Sequence, residues 1–522
     1  MASRNMAISE SPAKNVLKML MVLGLTAIGL LAIAYFTSKG KIAFVFGGIF
    51  LVALVMVAIK RSEFAVYTFV FVLYTNFAVI AKKLYGVPDM IAASFVLLLI
   101  FPLIDHVVKR REKFVFDKVM VLQLLFITAL LASSLVALNK KIAFGAIIEF
   151  AIEGMLLFFL VINAIRTRKM LEHALWTWLI AASLLGSLSL IQETTGTKNT
   201  FFGLAQRFAA EGEAELPNAG KGEGLLGQRE KVRTSDRAGG PVNAPNRYAQ
   251  LMLMVLPIAV FKLWGAKNKK IKRYALLTSF LIFCGVLLSY SRGGFITMSL
   301  MVLFLTALRY IRLKQLLRTL AIVIVLMPIA APGYFARLDT IRGIEALFNE
   351  DAEVKADGPT RGRLTEMLAA LLCYIDHPII GVGPGQYTPY YSYDYQKSDE
   401  IAFRHIDKGR RAHILYFELM AETGTLGFLV FMGIAFYVFQ RLWKIRKEAA
   451  DIRPDIANMA TAFCFCMFAY FGTSIFLHMA YQRYYWFLLA LAVAAIKIFG
   501  EELREEDEME VAHSEDGIIA RV

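Results

Sequence analysis

The chain has 522 residues, of which 57% are hydrophobic and 19% charged, and its mean hydropathy is +0.55. A soluble chain of that size has no use for so much apolar surface, so composition excludes the soluble classes and places the protein in a membrane. The net charge of +15 would point to nucleic acid in a soluble protein. Here the cations sit in short loops between apolar runs, where they mark topology rather than a nucleic-acid partner.

About fourteen apolar runs approach or exceed the length an α-helix needs to cross a bilayer core, roughly 17–25 residues. They lie near 16–36, 42–59, 64–81, 88–104, 118–138, 142–165, 174–192, 246–264, 274–290, 294–309, 317–335, 413–440, 457–480 and 482–498. The pattern predicts an all-α polytopic membrane protein with about 12–14 transmembrane helices. The first run is long, lacks a small-residue cleavage site and is soon followed by another, so it reads as a span and not a signal peptide. Basic loops at Lys60–Arg61, Lys109–Arg111, Arg166–Lys169, Lys267–Arg273, Arg309–Arg318 and Arg441–Lys447 recur at every second turn. By the positive-inside tendency they are cytoplasmic, and both termini lie on that side.

Two long loops then fall on the outer side, 193–245 and 336–412. The first is rich in Gly and charge and reads as mostly irregular. The second contains RGRLTEMLAALLCYIDHP, where Leu364, Met367, Leu368, Leu371, Leu372 and Ile375 are spaced like one helix face. That face is too short to span, which predicts a helix lying along the membrane surface. GVGPGQ at 381–386 has the wrong spacing for a phosphate loop and reads as a tight turn. The tail EELREEDEMEVAHSEDG is acidic and expected to be disordered. The chain divides into N-terminal spans (1–192), a region holding both outer loops (193–480), and a last helix with its acidic tail (481–522). Of the four cysteines, Cys284, Cys464 and Cys466 lie inside apolar spans and Cys373 stands alone in a loop. That distribution implies packing, with neither a disulfide framework nor a zinc site.

Polar chemistry concentrates at the outer membrane surface. RAGGPVNAPNRYAQ (237–250) places Arg237 and Asn246 at the lip of a span, in what reads as a turn leading into an Asn-capped helix. SYSRGGF (289–295) is a hairpin with Arg292 at its tip. Arg361 and Arg363 open the surface helix, and FRHIDKGRRAH (403–413) supplies Arg404, His405, Lys408, Arg410, Arg411 and His413 just before the membrane. Guanidinium forks match phosphate oxygens bidentately, so this set fits a lipid-anchored pyrophosphate, although any one arginine could instead pair with a nearby carboxylate. An imidazole at the water boundary can take a proton from a hydroxyl at neutral pH, which makes His413 a candidate base; a helix cap is its other reading.

Glu422 lies nine residues beyond His413, about 180° around and roughly 13 Å deeper on a continuous helix. It is therefore expected to be structural, with Gly424 and Gly427 admitting a close neighbour. Glu149 and Glu153, four apart in one span, could relay protons or ions or could pack against polar partners. They motivate a transporter as the competing class. The tyrosines of YTPYYSYDY (387–395) fit either sugar stacking or an interfacial belt.

The ordered series GPVNAPNRYAQ, SYSRGG, PIIGVGPGQY and HILYFELMAETGTLG resembles the O-antigen ligase and polymerase superfamily of bacterial inner-membrane glycosyltransferases, over roughly residues 190–480. The resemblance implies transfer of a glycan from undecaprenyl diphosphate to a lipid, glycan or protein acceptor on the periplasmic side, without metal ion or cofactor. It also implies that Arg292 and Arg237 hold the diphosphate and that His413 activates the acceptor hydroxyl. Asn246, Arg363, Arg404, Arg410 and Arg411 join them as substrate-binding candidates. Ile414 departs from the family pattern, which commonly has Asn there, and this bears on the acceptor rather than the donor. Ligase, polymerase and protein O-oligosaccharyltransferase share this donor chemistry. A flippase for polyprenyl-linked glycans is the alternative of another class.

Overall fold

The computed structural model describes residues 57, 60–87, 94–213, 231–318, 321, 358–395, 410–477 and 483–519. The apolar run expected at 16–36, and most of those at 42–59 and 317–335, lie outside these residues. Within them the chain is a helical bundle: α1 (Ser62–Tyr74), α2 (Phe77–Tyr85), a mixed helical stretch from Ser94 to Lys109, α3 (Lys118–Ser134), α4 (Lys140–Ala164) and α5 (Arg168–Thr195). A two-stranded hairpin follows, β1 (Gln206–Glu213) and β2 (Lys231–Gly240). Then come α6 (Pro245–Gly265), α7 (Lys269–Leu288), α8 (Arg292–Ala307), α9 (Gly358–Asp376), α10 (Leu415–Glu448), α11 (Pro454–Thr473) and α12 (Arg483–Ile519).

Six described helices are long and apolar enough to cross a membrane, or seven if the bent pair α1–α2 counts as one span. The protein is an all-α polytopic membrane protein. Two apolar runs form shorter helices, α3 with 17 residues and α8 with 16. The run expected at 64–81 does not form one straight span, because α1 and α2 meet at an angle of 54°. Asn76 occupies the elbow with φ 57°, and its amide donates to the Pro241 carbonyl at 2.9 Å while its oxygen accepts from Arg483.

α6 and α11 lie at the centre, packed on each other, with α5 and α7 closing one side. An aromatic ladder ties five helices together: Phe126 (α3) meets Phe150 (α4) at 5.1 Å, Phe150 meets Trp486 (α12) at 4.9 Å, and Phe431 (α10) meets Tyr485 (α12) at 5.1 Å. Tyr485 stacks on Tyr470 of α11 at 4.5 Å. In lipid, where apolar burial gives little net gain, such close ring contacts supply the dispersion that holds helices together.

Three expectations are corrected. Part of the 193–245 loop, expected to be mostly irregular, is regular, since among its described residues two arms pair as β1 and β2, with Phe208 opposite Arg237. The acidic tail continues α12 as helix to Ile519. Glutamate is a good helix former, and Arg453 anchors the extension through Glu502 at 3.3 Å and Glu506 at 2.7 Å. The surface helix is present as α9, but its leucine face is not the buried one. Thr365, Glu366, Ala369, Ala370 and Cys373 are buried, whereas Leu364, Met367, Leu368, Leu371 and Leu372 are half-buried and Ile375 is exposed. The small residues let α9 lie close against α10, and Met367, Leu368 and Leu372 pack partly buried at the edge of that contact.

Candidate active site

The connections 237–246, 289–292, 358–395 and 410–415 gather at one end of the bundle. At the opposite end lie the basic loops and the pairs Arg441–Asp117 (2.8 Å), Arg166–Glu112 (2.9 Å) and Arg168–Asp455 (3.2 Å).

The chain enters α6 with Ala244 as the cap residue and Pro245 in the first turn, and no side chain caps this helix. The expected Asn cap is therefore absent. Asn246 instead accepts a hydrogen bond from Arg237 at 3.1 Å, and Arg237 also donates to the carbonyls of Ser289 (2.9 Å) and Tyr290 (3.1 Å). One guanidinium thus fastens the end of β2 to the start of α6 and to the SYSR turn. Ser291 caps α8 by accepting from the Gly294 amide, and Arg292 is the first residue of that helix, half-buried.

His413 stands one residue ahead of Ile414, the cap residue of α10, which makes no side-chain cap bond. Its φ is +54°, in the left-handed region where Asn243 (φ 50°) and Tyr290 (φ 48°) also lie. Each of the three sits in a different motif of the lip, and such strain in a non-glycine residue is held only where the surroundings fix it. Arg363, Arg410, Arg411 and Arg247 surround the imidazole. Burial and then those four guanidiniums push its pKa from 6.5 down to about 4. Nε2 of His413 lies 3.4 Å from Oε2 of Glu366, whose other oxygen is 3.6 Å from Nε of Arg410. Glu418, one turn into α10, accepts from Arg411 Nε at 2.9 Å and from the Ala412 amide at 3.1 Å.

α10 is not the continuous helix expected. It breaks at Gly424 (φ 62°, ψ −168°), and a Cβ there would sit 2.2 Å from the Ile379 carbonyl oxygen. The segment after α9 runs through the break. Val382 and Gly383 donate to the carbonyls of Ala421 and Glu422 at 2.9 Å each, and Thr425 donates to that of Pro378 at 2.8 Å. GVGPGQ is the turn expected, with Gly381, Gly383 and Gly385 all at positive φ. Glu422 is buried beneath it, accepting weakly from the Tyr387 amide at 3.4 Å. The close neighbour that Gly424 admits is thus a loop and not a helix.

The structure therefore brings His413, Arg363, Arg410 and Arg411 together and joins Arg237 to Asn246 and the SYSR turn. Arg404, His405 and Lys408 lie outside the described residues, and Arg361 is exposed. Arg247, Glu366 and Glu418 were missed. Arg247 follows Asn246 directly, and Glu366 stands three residues after Arg363 on one helix face, so local spacing carried a signal for both. Glu153 lies in a π-helical stretch of α4 and pairs with Arg483 at 3.2 Å, which ties it to the lip through Asn76. In the tyrosine run, Tyr387 and Tyr391 are buried in a small second core with Cys373, Ala412 and Ile414, and Tyr393 is 77% exposed.

Fold and site together define a multi-pass helical membrane protein whose polar machinery crowds one end. Residues 277–432 match the family model described as O-antigen ligase, which supports the O-antigen ligase superfamily for this segment. Arg292, α9, the glycine turn, His413 and Glu418 all fall inside the match, whereas Arg237, Asn246 and Arg247 precede it. No curated protein matches the chain. The match supports an O-antigen ligase/polymerase-type membrane enzyme.

Proposed function

We propose that the protein transfers a glycan from undecaprenyl diphosphate to an acceptor hydroxyl on the periplasmic side of the bacterial inner membrane, in the manner of an O-antigen ligase. The observation that carries this reading is one buried imidazole set among four arginines, in a segment that matches the O-antigen ligase family model. His413 takes the proton of the acceptor hydroxyl. Arg292, Arg363, Arg410 and Arg411 hold the diphosphate, whose growing charge as it leaves is met by guanidinium rather than by a metal ion. Arg237, engaged with two carbonyls and Asn246, orders the SYSR turn that presents Arg292. The acceptor class divides ligase from polymerase and from protein O-oligosaccharyltransferase, and ligase stands first on the family description. The pairing of Glu153 with Arg483 at the lip weighs against an ion path through α4 and so against a flippase.

The test is transfer in vesicles made from the source cell's envelope lipids, supplied with an undecaprenyl-diphosphate-linked oligosaccharide. His413→Ala and Arg292→Ala are compared with wild type at matched insertion. Loss of transfer in both supports the reading. Full activity in both, or movement of the donor across the bilayer with its diphosphate link intact, removes it.

A further inference from the structure

Glu366 is only 1% exposed, on the face of α9 that meets α10. Its helical neighbours on that face are Ala369, Ala370 and Cys373, all buried. A carboxylate there is costly unless its charge is met, and packing alone would favour an apolar side chain. Its two oxygens face Nε2 of His413 at 3.4 Å and Nε of Arg410 at 3.6 Å. The backbone of the same residue is fixed independently, because the Tyr387 hydroxyl donates to its carbonyl at 2.6 Å.

We propose that Glu366 is a positioning residue for His413, acting as the carboxylate that orients its imidazole and shares the charge the ring acquires. The proposal rests on the reading of His413 as the base. With Nε2–H directed to Glu366, the basic lone pair of the ring is on Nδ1. The acceptor oxygen bonds to the anomeric carbon of the glycan as its proton passes to Nδ1. The bond from that carbon to the diphosphate oxygen breaks, and its electron pair leaves with the diphosphate. Glu366 remains ionised throughout and stabilises the imidazolium, the role a carboxylate has in histidine-carboxylate pairs generally. Distances beyond 3.3 Å fit a resting contact that shortens when the ring gains its proton. Arg410 lies beside the second oxygen and offsets the carboxylate's charge.

The experiment uses the same vesicles and measures kcat and the KM for the donor in wild type, Glu366→Gln, Glu366→Asp, His413→Ala and the Glu366→Gln/His413→Ala double variant. Glu366→Gln is expected to lower kcat at least about tenfold, with the donor KM within about twofold, since it removes charge and not the donor's ligands. Glu366→Asp keeps the charge and retains more turnover. In the His413→Ala background, Glu366→Gln costs nothing further, because its effect runs through the ring. Wild-type kcat in Glu366→Gln, or an undiminished loss on top of His413→Ala, overturns the proposal. Should Glu366→Gln fail to insert, wild-type kcat in Glu366→Asp overturns it and a lowered kcat at constant KM supports it. His413→Ala with wild-type turnover is a different result: it removes the base reading itself.

Discussion

His413 is a weak base in the resting protein, because burial and four guanidiniums all oppose a positive charge on the ring. The sign of the resulting pH dependence follows directly. The ring must be neutral to accept a proton, so activity is present above its pKa and is lost as pH falls through it. The acid limb of kcat/KM, which reports the free enzyme, is expected near pH 4, below the usual histidine value of 6.5. A diphosphate seated among the arginines offsets their charge, so the limb of kcat, which reports the complex, should lie at higher pH. Arg363→Gln should move the kcat/KM limb upward. Profiles of both constants against pH check this, and coincident limbs in wild type would count against a donor that binds at these arginines. At this scale the sequence was partly legible. His413, Arg292 and Arg411 could be named because arginine and histidine are unusual at an outer membrane lip. Glu418 could not, because a glutamate on a helix reads as solvated until tertiary packing shows what lies beside it, and for Glu366 the spacing from Arg363 was the one signal.

The break in α10 is the element that makes the lip. Gly424 adopts a backbone conformation that side chains do not tolerate, with the Ile379 carbonyl already where a Cβ would be, while Gly433 nine residues later has open space around it. Gly424→Ala should therefore destabilise by on the order of 3 kcal/mol or more, and Gly433→Ala should be neutral or stabilising by up to about 1 kcal/mol. Thermal unfolding in detergent compares the two. Equal melting temperatures would mean that the inserted loop does not depend on the break. Sequence pattern could not have located it, since glycines in an apolar run read as helix-packing positions. The hairpin escaped notice for a similar reason: its arms carry many charges and no tight-turn dipeptide at a hairpin spacing. The acidic end of α12 shows the opposite error, composition outweighing local propensity, because its Glu-rich run forms helix well once Arg453 anchors it.

For the whole molecule, the alternation of basic loops foretold that one end would collect the cations. The structure gathers Arg166–Lys169, Lys267–Arg273 and Arg441–Lys447 at the end away from His413. Under the proposed orientation, the His413 end faces outward. Tyr393→Cys, at a site 77% exposed, should then react with a membrane-impermeant maleimide in intact cells. Lys444→Cys, 75% exposed at the opposite end, should react only after permeabilisation, and the reverse pattern would invert the topology. Asn76, Pro241 and Arg483 add a constraint in time. They form one hydrogen-bonded bridge, and its outermost members are 407 residues apart in the chain. During synthesis the elbow at Asn76 is made before His413 and Arg483 after it, so His413 and its arginines precede the bridge that joins the first described helices to the last. The lip is therefore closed only after the segment that carries His413 has been made.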